Sequence, residues 1–367
     1  AAACAAGEIA LRLVRPQPLE AAYMWPDGTL RHIPSFSYTY ARGEFASVAR
    51  FNALGLRGPE IPARKDPARL RTIFLGDSFV EGAQVEEDLL LTTRLQRLSG
   101  SPPRLEVINA GVAGTGTSEE LILFDRALAR LQPDLVLLGW YPNDVRNNAD
   151  RRLFRIVEGQ AVAAREPSLP KARFVYDLRK FFASRSHLYM LVKLAVDAAT
   201  EEDPVERRAG KAAAPALNAA APLEAEEVFE RKPSDLVAGG WNLSLALLSA
   251  MKHHVEAGGA RFVLVVFPSR FQVDDALWRD QTARIAVDPG AFDLAKPQRV
   301  LSEWAHATGT PVIDLLDEFR RRNVSNTFYF KTDAHWNPLG HELAAETIAK
   351  GLREIGILDQ AAPPPAR

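Results

Sequence analysis

The stretch Thr72-Ile73-Phe74-Leu75-Gly76-Asp77-Ser78-Phe79 decides the reading of this 367-residue chain. A short apolar run without polar alternation suits a parallel strand covered on both faces, not a strand with one wet side. Gly76 permits a sharp turn where the strand ends. A serine just beyond the carboxyl end of such a strand stands in the crevice where open α/β sheets bind ligands. The helix that follows would direct its first amides toward a developing anion. Taken alone, the Gly-Asp-Ser triplet fits a helix cap as well as a nucleophile. It is not the nucleophile elbow of α/β-hydrolases, because Val80 stands where that motif has its second glycine.

Working outward, further apolar runs follow at Leu105-Glu106-Val107-Ile108, Leu135–Trp140, Arg261–Phe267 and Pro311-Val312-Ile313. Helical patterns lie between them. Thr117-Ser118 reads as an N-cap pair, with Glu119 and Glu120 in the first turn and Leu121, Phe124, Leu128 and Leu131 at helical spacing. The last helix has Asn337 as its cap, Pro338 at its first position, and a stripe of Leu339, Leu343, Ile348 and Leu352. This alternation predicts the α/β class: a three-layer α/β/α sandwich on a five-stranded parallel sheet over residues 71–355.

Around that core, residues 1–15 read as the remnant of a membrane anchor or signal region, since small residues precede Cys4. Residues 16–70 read as a strand-and-loop arm packed on the core, and 356–367 as a Pro/Ala-rich tail. An insertion at about 149–235 separates the third and fourth strands. Its middle, about 197–227, is dominated by Ala, Glu and Pro and has little apolar surface to bury. The flanking Phe181-Phe182 and Leu188–Val192 are expected to pack, as part of a lid or cap.

Charge is balanced, with 45 basic and 46 acidic residues, which excludes a nucleic-acid partner held by phosphate neutralisation. The single cysteine, Cys4, allows neither an internal disulfide nor a thiolate metal cluster. His253-His254 read as solvated, and His341 lies six residues from His335, off the spacing of a helical zinc pair. No phosphate loop or dinucleotide fingerprint occurs. No metal and no cofactor are expected.

Near the other end stands Asp333-Ala334-His335-Trp336-Asn337-Pro338. A serine hydroxyl is a poor nucleophile until a base takes its proton. A carboxylate two residues before an imidazole lets one loop hold both, so Asp333 can fix the tautomer while the other ring nitrogen faces the serine. The tetrahedral intermediate needs donors for its oxyanion. Asn109-Ala110-Gly111 after the second strand offers the Gly111 amide, and Tyr141-Pro142-Asn143 after the third offers the Asn143 side chain.

In matching order, these four segments resemble the four blocks of the SGNH, or GDSL-like, hydrolase superfamily. The resemblance implies a flavodoxin-like sheet, with Ser78 as nucleophile, His335 as base and Asp333 as its acid. It also implies an oxyanion hole made by the Ser78 amide, Gly111 and Asn143. Two positions depart from the pattern: Gly139 lies four residues before Asn143, and Phe79 replaces the usual leucine. The Asp-x-His-Trp segment further resembles envelope-polysaccharide acetyl-handling proteins of the alginate-acetylation type.

The leading expectation is a serine esterase that removes acyl groups, above all O-acetyl groups, from an envelope or exported carbohydrate through an acyl-enzyme on Ser78. One alternative is a carbohydrate O-acetyltransferase with the same triad. Another is a non-catalytic carbohydrate-binding or assembly protein on the same scaffold. Arg270 and Trp336 are candidates for contact with an acylated small-molecule or carbohydrate substrate. The location expected is extracytoplasmic, with membrane association through an amino-terminal segment that is missing from the sequence.

Overall fold

All five apolar runs enter one parallel sheet. The computed structural model describes residues 2–15, 17, 19–25, 29–164, 173–200 and 226–358. Its strands are β1 (Ala22–Met24), β2 (Leu30–His32), β3 (Phe36–Arg42), β4 (Phe45–Phe51), β5 (Leu70–Gly76), β6 (Leu105–Gly111), β7 (Leu135–Trp140), β8 (Phe154–Val157), β9 (Gln160–Ala163), β10 (Arg261–Val266) and β11 (Val312–Asp314). The five-stranded sheet has the order β6-β5-β7-β10-β11. The chain goes from β5 out to β6, then returns past β5 to β7 and continues in that direction. Strand order therefore reverses between β5 and β7, and ligands of doubly wound sheets bind at such a reversal.

Side chains alternate across the sheet and fill two cores. Ile73 and Leu75 pack with Leu121, Phe124, Leu247 and Leu301 on one face. Phe74 packs with Leu91, Leu95, Leu343 and Ile348 on the other. Each fully buried aliphatic side chain contributes about 2 kcal/mol through lost water contact. The expected three-layer sandwich is present.

Several local expectations change. The first residue flanking the helix Thr117–Leu123 is Gly116, and no side chain caps it. Thr117 instead donates to Asp144 at 3.1 Å and the Ser118 amide to Asn148 at 2.9 Å, binding this helix to the helix Asp144–Arg151. In the last helix, Pro338–Glu354, Leu339 is exposed and the buried place in that turn goes to His341. Phe181 and Phe182 are exposed where packing was expected, because the opposite side of their helix meets the protein. Residues 201–225 of the insertion and 359–367 of the tail lie outside the described residues.

The amino-terminal arm contributes two hairpins, β1–β2 and β3–β4. Arg57 bridges Phe51 on one side and Asn109 of β6 on the other, which extends the main sheet into the arm. Among the described residues, no helix is long and apolar enough to cross a membrane.

Candidate active site

Ser78 owes its position to a row of glycines. Gly111, Gly76 and Gly139 stand side by side in register on β6, β5 and β7. The one-turn helix Ser78–Glu81 lies directly on them. A Cβ at Gly76 would come within 2.4 Å of Val80, one at Gly139 within 2.9 Å of the same side chain, and one at Gly111 within 2.2 Å of the Glu81 backbone nitrogen. Only hydrogen at all three positions lets the serine turn sit this close to the sheet.

Asp77 is the cap of that helix and has no exposed surface. One carboxyl oxygen accepts from the Phe79 amide at 2.9 Å, and the other from the Asn143 side-chain amide at 3.0 Å. Burial raises its pKa above the usual carboxylate range, against the pull of those two donors. Asp77 thus ties the ends of β5 and β7 together across the strand-order reversal. Its sequence signal was an aspartate two residues before the amide it caps, a common Asx arrangement.

The last block arrives on a tight loop. Tyr329 pairs with Trp336 as an isolated antiparallel bridge, and the Phe330 amide donates to the His335 carbonyl. Asn337 caps the last helix through Leu339 and Gly340 while its amide donates to the Thr327 carbonyl. From the arm, Glu44 accepts hydrogen bonds from the Lys331 amide at 2.6 Å and from the Thr332 amide and hydroxyl. Nothing in the sequence marked Glu44, because it acts on residues almost three hundred positions away.

The side chains then meet. Ser78 Oγ lies 2.7 Å from His335 Nε2, and His335 Nδ1 lies 2.5 Å from Asp333 Oδ1, which also accepts from the His335 amide at 2.9 Å. Asp333 is buried, which alone would raise its pKa, yet the hydrogen bonds and charge of His335 hold it below the ordinary value. Phe79 supports the imidazole with its ring centroid 5.0 Å away and stacks on Tyr141 at 4.2 Å. Its aromatic ring, where leucine is usual, is the floor on which His335 rests.

The donor positions divide. Asn143 sits at the end of β7 with one amide hydrogen given to Asp77, which leaves its second hydrogen for a ligand. Gly111 is corrected: its N–H donates to Asn109 Oδ1 at 3.0 Å, and its role is to make room for the serine turn. In the loop that follows β6, Gly114 has φ +75°, is exposed and has no atom crowding its Cα. The Glu81 carboxylate shapes this loop by accepting from the Ala113 amide at 2.6 Å, and His32 of the arm contacts the same carboxylate at 3.2 Å.

Trp336 is also corrected. It is fully buried, stacked edge-on against Phe267 and Phe79, so it backs the site and meets no ligand. Arg270 is half-buried with its guanidinium 5.0 Å from the Phe271 ring, and its charge reaches Tyr141 and Glu226. His341 is buried and accepts from the Leu91 amide at 3.2 Å, as a neutral imidazole does. Among the described residues, no cluster of His, Cys, Asp or Glu is arranged to hold a metal.

Comparison with known proteins bears on the carboxyl-terminal part. Residues 226–364 match the family model described as the SGNH hydrolase-like domain of the acetyltransferase AlgX. Over 139 residues the chain is 28% identical to a probable alginate O-acetylase, AlgJ, of Pseudomonas aeruginosa. That match covers 37% of this chain and 32% of the relative, so it spans about a third of the relative's length. Among solved structures, similarity extends to an acetyl-xylooligosaccharide esterase of Geobacillus stearothermophilus, with TM-score 0.43, 14% identity, and coverage of 80% of this chain and 97% of the other. A lipase/acylhydrolase of Enterococcus faecalis gives TM-score 0.41 and 15% identity, over 81% of this chain and 100% of the other.

Proposed function

We propose that this chain, an SGNH hydrolase-like protein, is an O-acetyltransferase that moves an acetyl group to a hydroxyl of an exported polysaccharide through an acyl-enzyme on Ser78. The observation that carries the reading is the hydrogen-bonded line from Ser78 Oγ through His335 to Asp333 at the strand-order reversal. Transfer takes precedence over hydrolysis, the leading expectation from sequence, because the stretch holding Asp333 and His335 matches an acetyltransferase domain and part of the chain is similar to an alginate O-acetylase. Acetylation of an exported polymer would put the enzyme on the outer side of the cytoplasmic membrane, and a polyuronate is the acceptor class to test first.

In this reading, His335 Nε2 takes the hydroxyl proton as Ser78 Oγ attacks the donor's carbonyl carbon. Asp333 holds Nδ1–H and stabilises the imidazolium. The negative oxygen of the tetrahedral intermediate is held by the Ser78 amide and the free amide hydrogen of Asn143. His335 returns its proton to the leaving alcohol. A sugar hydroxyl then gives its proton to His335 and attacks the acetyl-serine carbonyl; the bond from the acyl carbon to Ser78 Oγ breaks, His335 returns the proton to Ser78 Oγ, and the acetylated sugar leaves.

The test supplies p-nitrophenyl acetate with and without deacetylated alginate. Transfer requires acetylated glycan to accumulate and p-nitrophenol release to rise with acceptor. Release of acetate alone, indifferent to acceptor, would make the protein an esterase. Neither product, together with no fluorophosphonate adduct on folded protein, would leave a binding scaffold.

A further inference from the structure

The helix Arg173–Ala183 is built inside out. Residues 176, 180 and 183 share one face, and this polar and small face meets the protein. The Met24 amide donates to the Tyr176 hydroxyl at 2.6 Å, Lys180 pairs with Glu20 at 2.5 Å, and the Glu20 amide donates to the Ala183 carbonyl at 3.0 Å. The apolar stripe points to solvent. Phe174, Leu178 and Phe181 are 77%, 44% and 52% exposed, with Val175 and Phe182 exposed beside them. A surface helix ordinarily buries that stripe. Five large apolar side chains in one row exceed the scattered exposure of a soluble surface.

The amino-terminal helix is fastened next to this one. Glu8 of the helix Ala2–Val14 accepts from the His187 and Leu188 amides and from the Ser186 hydroxyl, and Arg12 donates to the Arg185 carbonyl. This junction brings Leu13 and Val14, both strongly exposed, to the same helical unit. Its rim is basic: Arg12, Arg15, Arg179 and Arg185 are exposed, and the Arg185 guanidinium lies 4.8 Å from the Phe181 ring. Residues 2–15, 20 and 173–200 together carry seven basic and four acidic side chains, with Glu20 paired to Lys180 and Lys193 and Glu8 to Arg12, in a chain whose net charge is −1.

We infer that this face lies on an anionic phospholipid bilayer. Exposed phenylalanine, leucine and valine would enter the boundary between headgroups and acyl chains, while the arginines reach lipid phosphates. Charge complementarity selects lipid over a second copy of this chain, because two copies would bring the same arginine rim against itself. The helical unit is fastened to the amino-terminal arm, so the acyl-transfer site would be held near the membrane surface. The inference does not depend on acyl transfer.

The test is co-sedimentation of the full chain with vesicles of phosphatidylcholine alone or mixed with phosphatidylglycerol. The wild type should bind the mixed vesicles at least about tenfold more tightly than the neutral ones. The double variant Phe174→Asp, Phe181→Asp should lose about tenfold or more of that binding while p-nitrophenyl acetate turnover stays unchanged. Equal binding to both vesicle types, or equal binding by the double variant, would overturn the inference. So would a dimer in light scattering that the double variant abolishes while vesicles capture neither form.

Discussion

At the residue scale, the chemistry rests on which hydrogen each polar atom holds. That Ser78, Asp333 and His335 come together was legible in the sequence because their residue types are specific and the Asp-x-His spacing is local. The glycine was harder to read. Gly111 ends β6 and Gly114 lies in the loop that follows, and a glycine serves equally to expose an amide or to leave room for a neighbour. Only the hydrogen bond from Gly111 to Asn109 and the 2.2 Å approach of Glu81 decide that Gly111 makes room. Asp333→Asn would keep the shape of the site but no longer favour the tautomer with hydrogen on Nδ1. We expect acyl transfer to fall by roughly two to four orders of magnitude with the fold intact, measured as kcat/KM on p-nitrophenyl acetate. A loss under threefold would remove Asp333 from the mechanism.

At the element scale, the continuous apolar runs announced the parallel strands, and all five formed. The inside-out helix Arg173–Ala183 resisted such reading, since an apolar stripe in sequence carries no label for what it faces. Trp336 posed the same problem: the residue after the histidine looked available to a ligand, yet the turn at Tyr329 directs it into the core. The glycine row is the element-scale device that sets the height of Ser78 above the sheet. Gly111→Ala would force a methyl into the Glu81 backbone, which cannot rotate away. A cost of about 1–3 kcal/mol, typical of overpacking, is expected in urea unfolding. Reactivity of Ser78 should fall as well, because the strain bears on its own helix. Unchanged stability and unchanged labelling would show that the helix has slack there.

At the scale of the whole molecule, one buried histidine links packing to pH. Burial, helped by the nearby positive charges of Arg57 and Arg94, pushes His341 down to about 3 from its ordinary 6.5. The unfolded chain therefore binds the proton that the folded chain refuses between about pH 3 and 6.5. Stability from this group is complete above about pH 6.5 and is lost as pH falls, by at most about 1.4 kcal/mol per pH unit. Replacing His341 with Gln keeps an acceptor for the Leu91 amide, and the melting temperature of that variant should fall less between pH 6.5 and 4.5. A parallel fall in both proteins would assign the acid sensitivity elsewhere. The same scale governs the site itself, since Ser78 and His335 are 257 positions apart and meet only when the whole sheet has formed. Glu44 and Glu81 join the arm to that meeting point in ways no local motif foretold.

The most direct measurement is to quench the protein during turnover of p-nitrophenyl acetate and map covalent acetyl by peptide mass spectrometry. Acetyl on Ser78, absent in Ser78→Ala and removed faster when a polysaccharide acceptor is added, is the predicted result. Folded protein that turns the ester over with Ser78 unmodified, or with the acetyl on another residue, would contradict it.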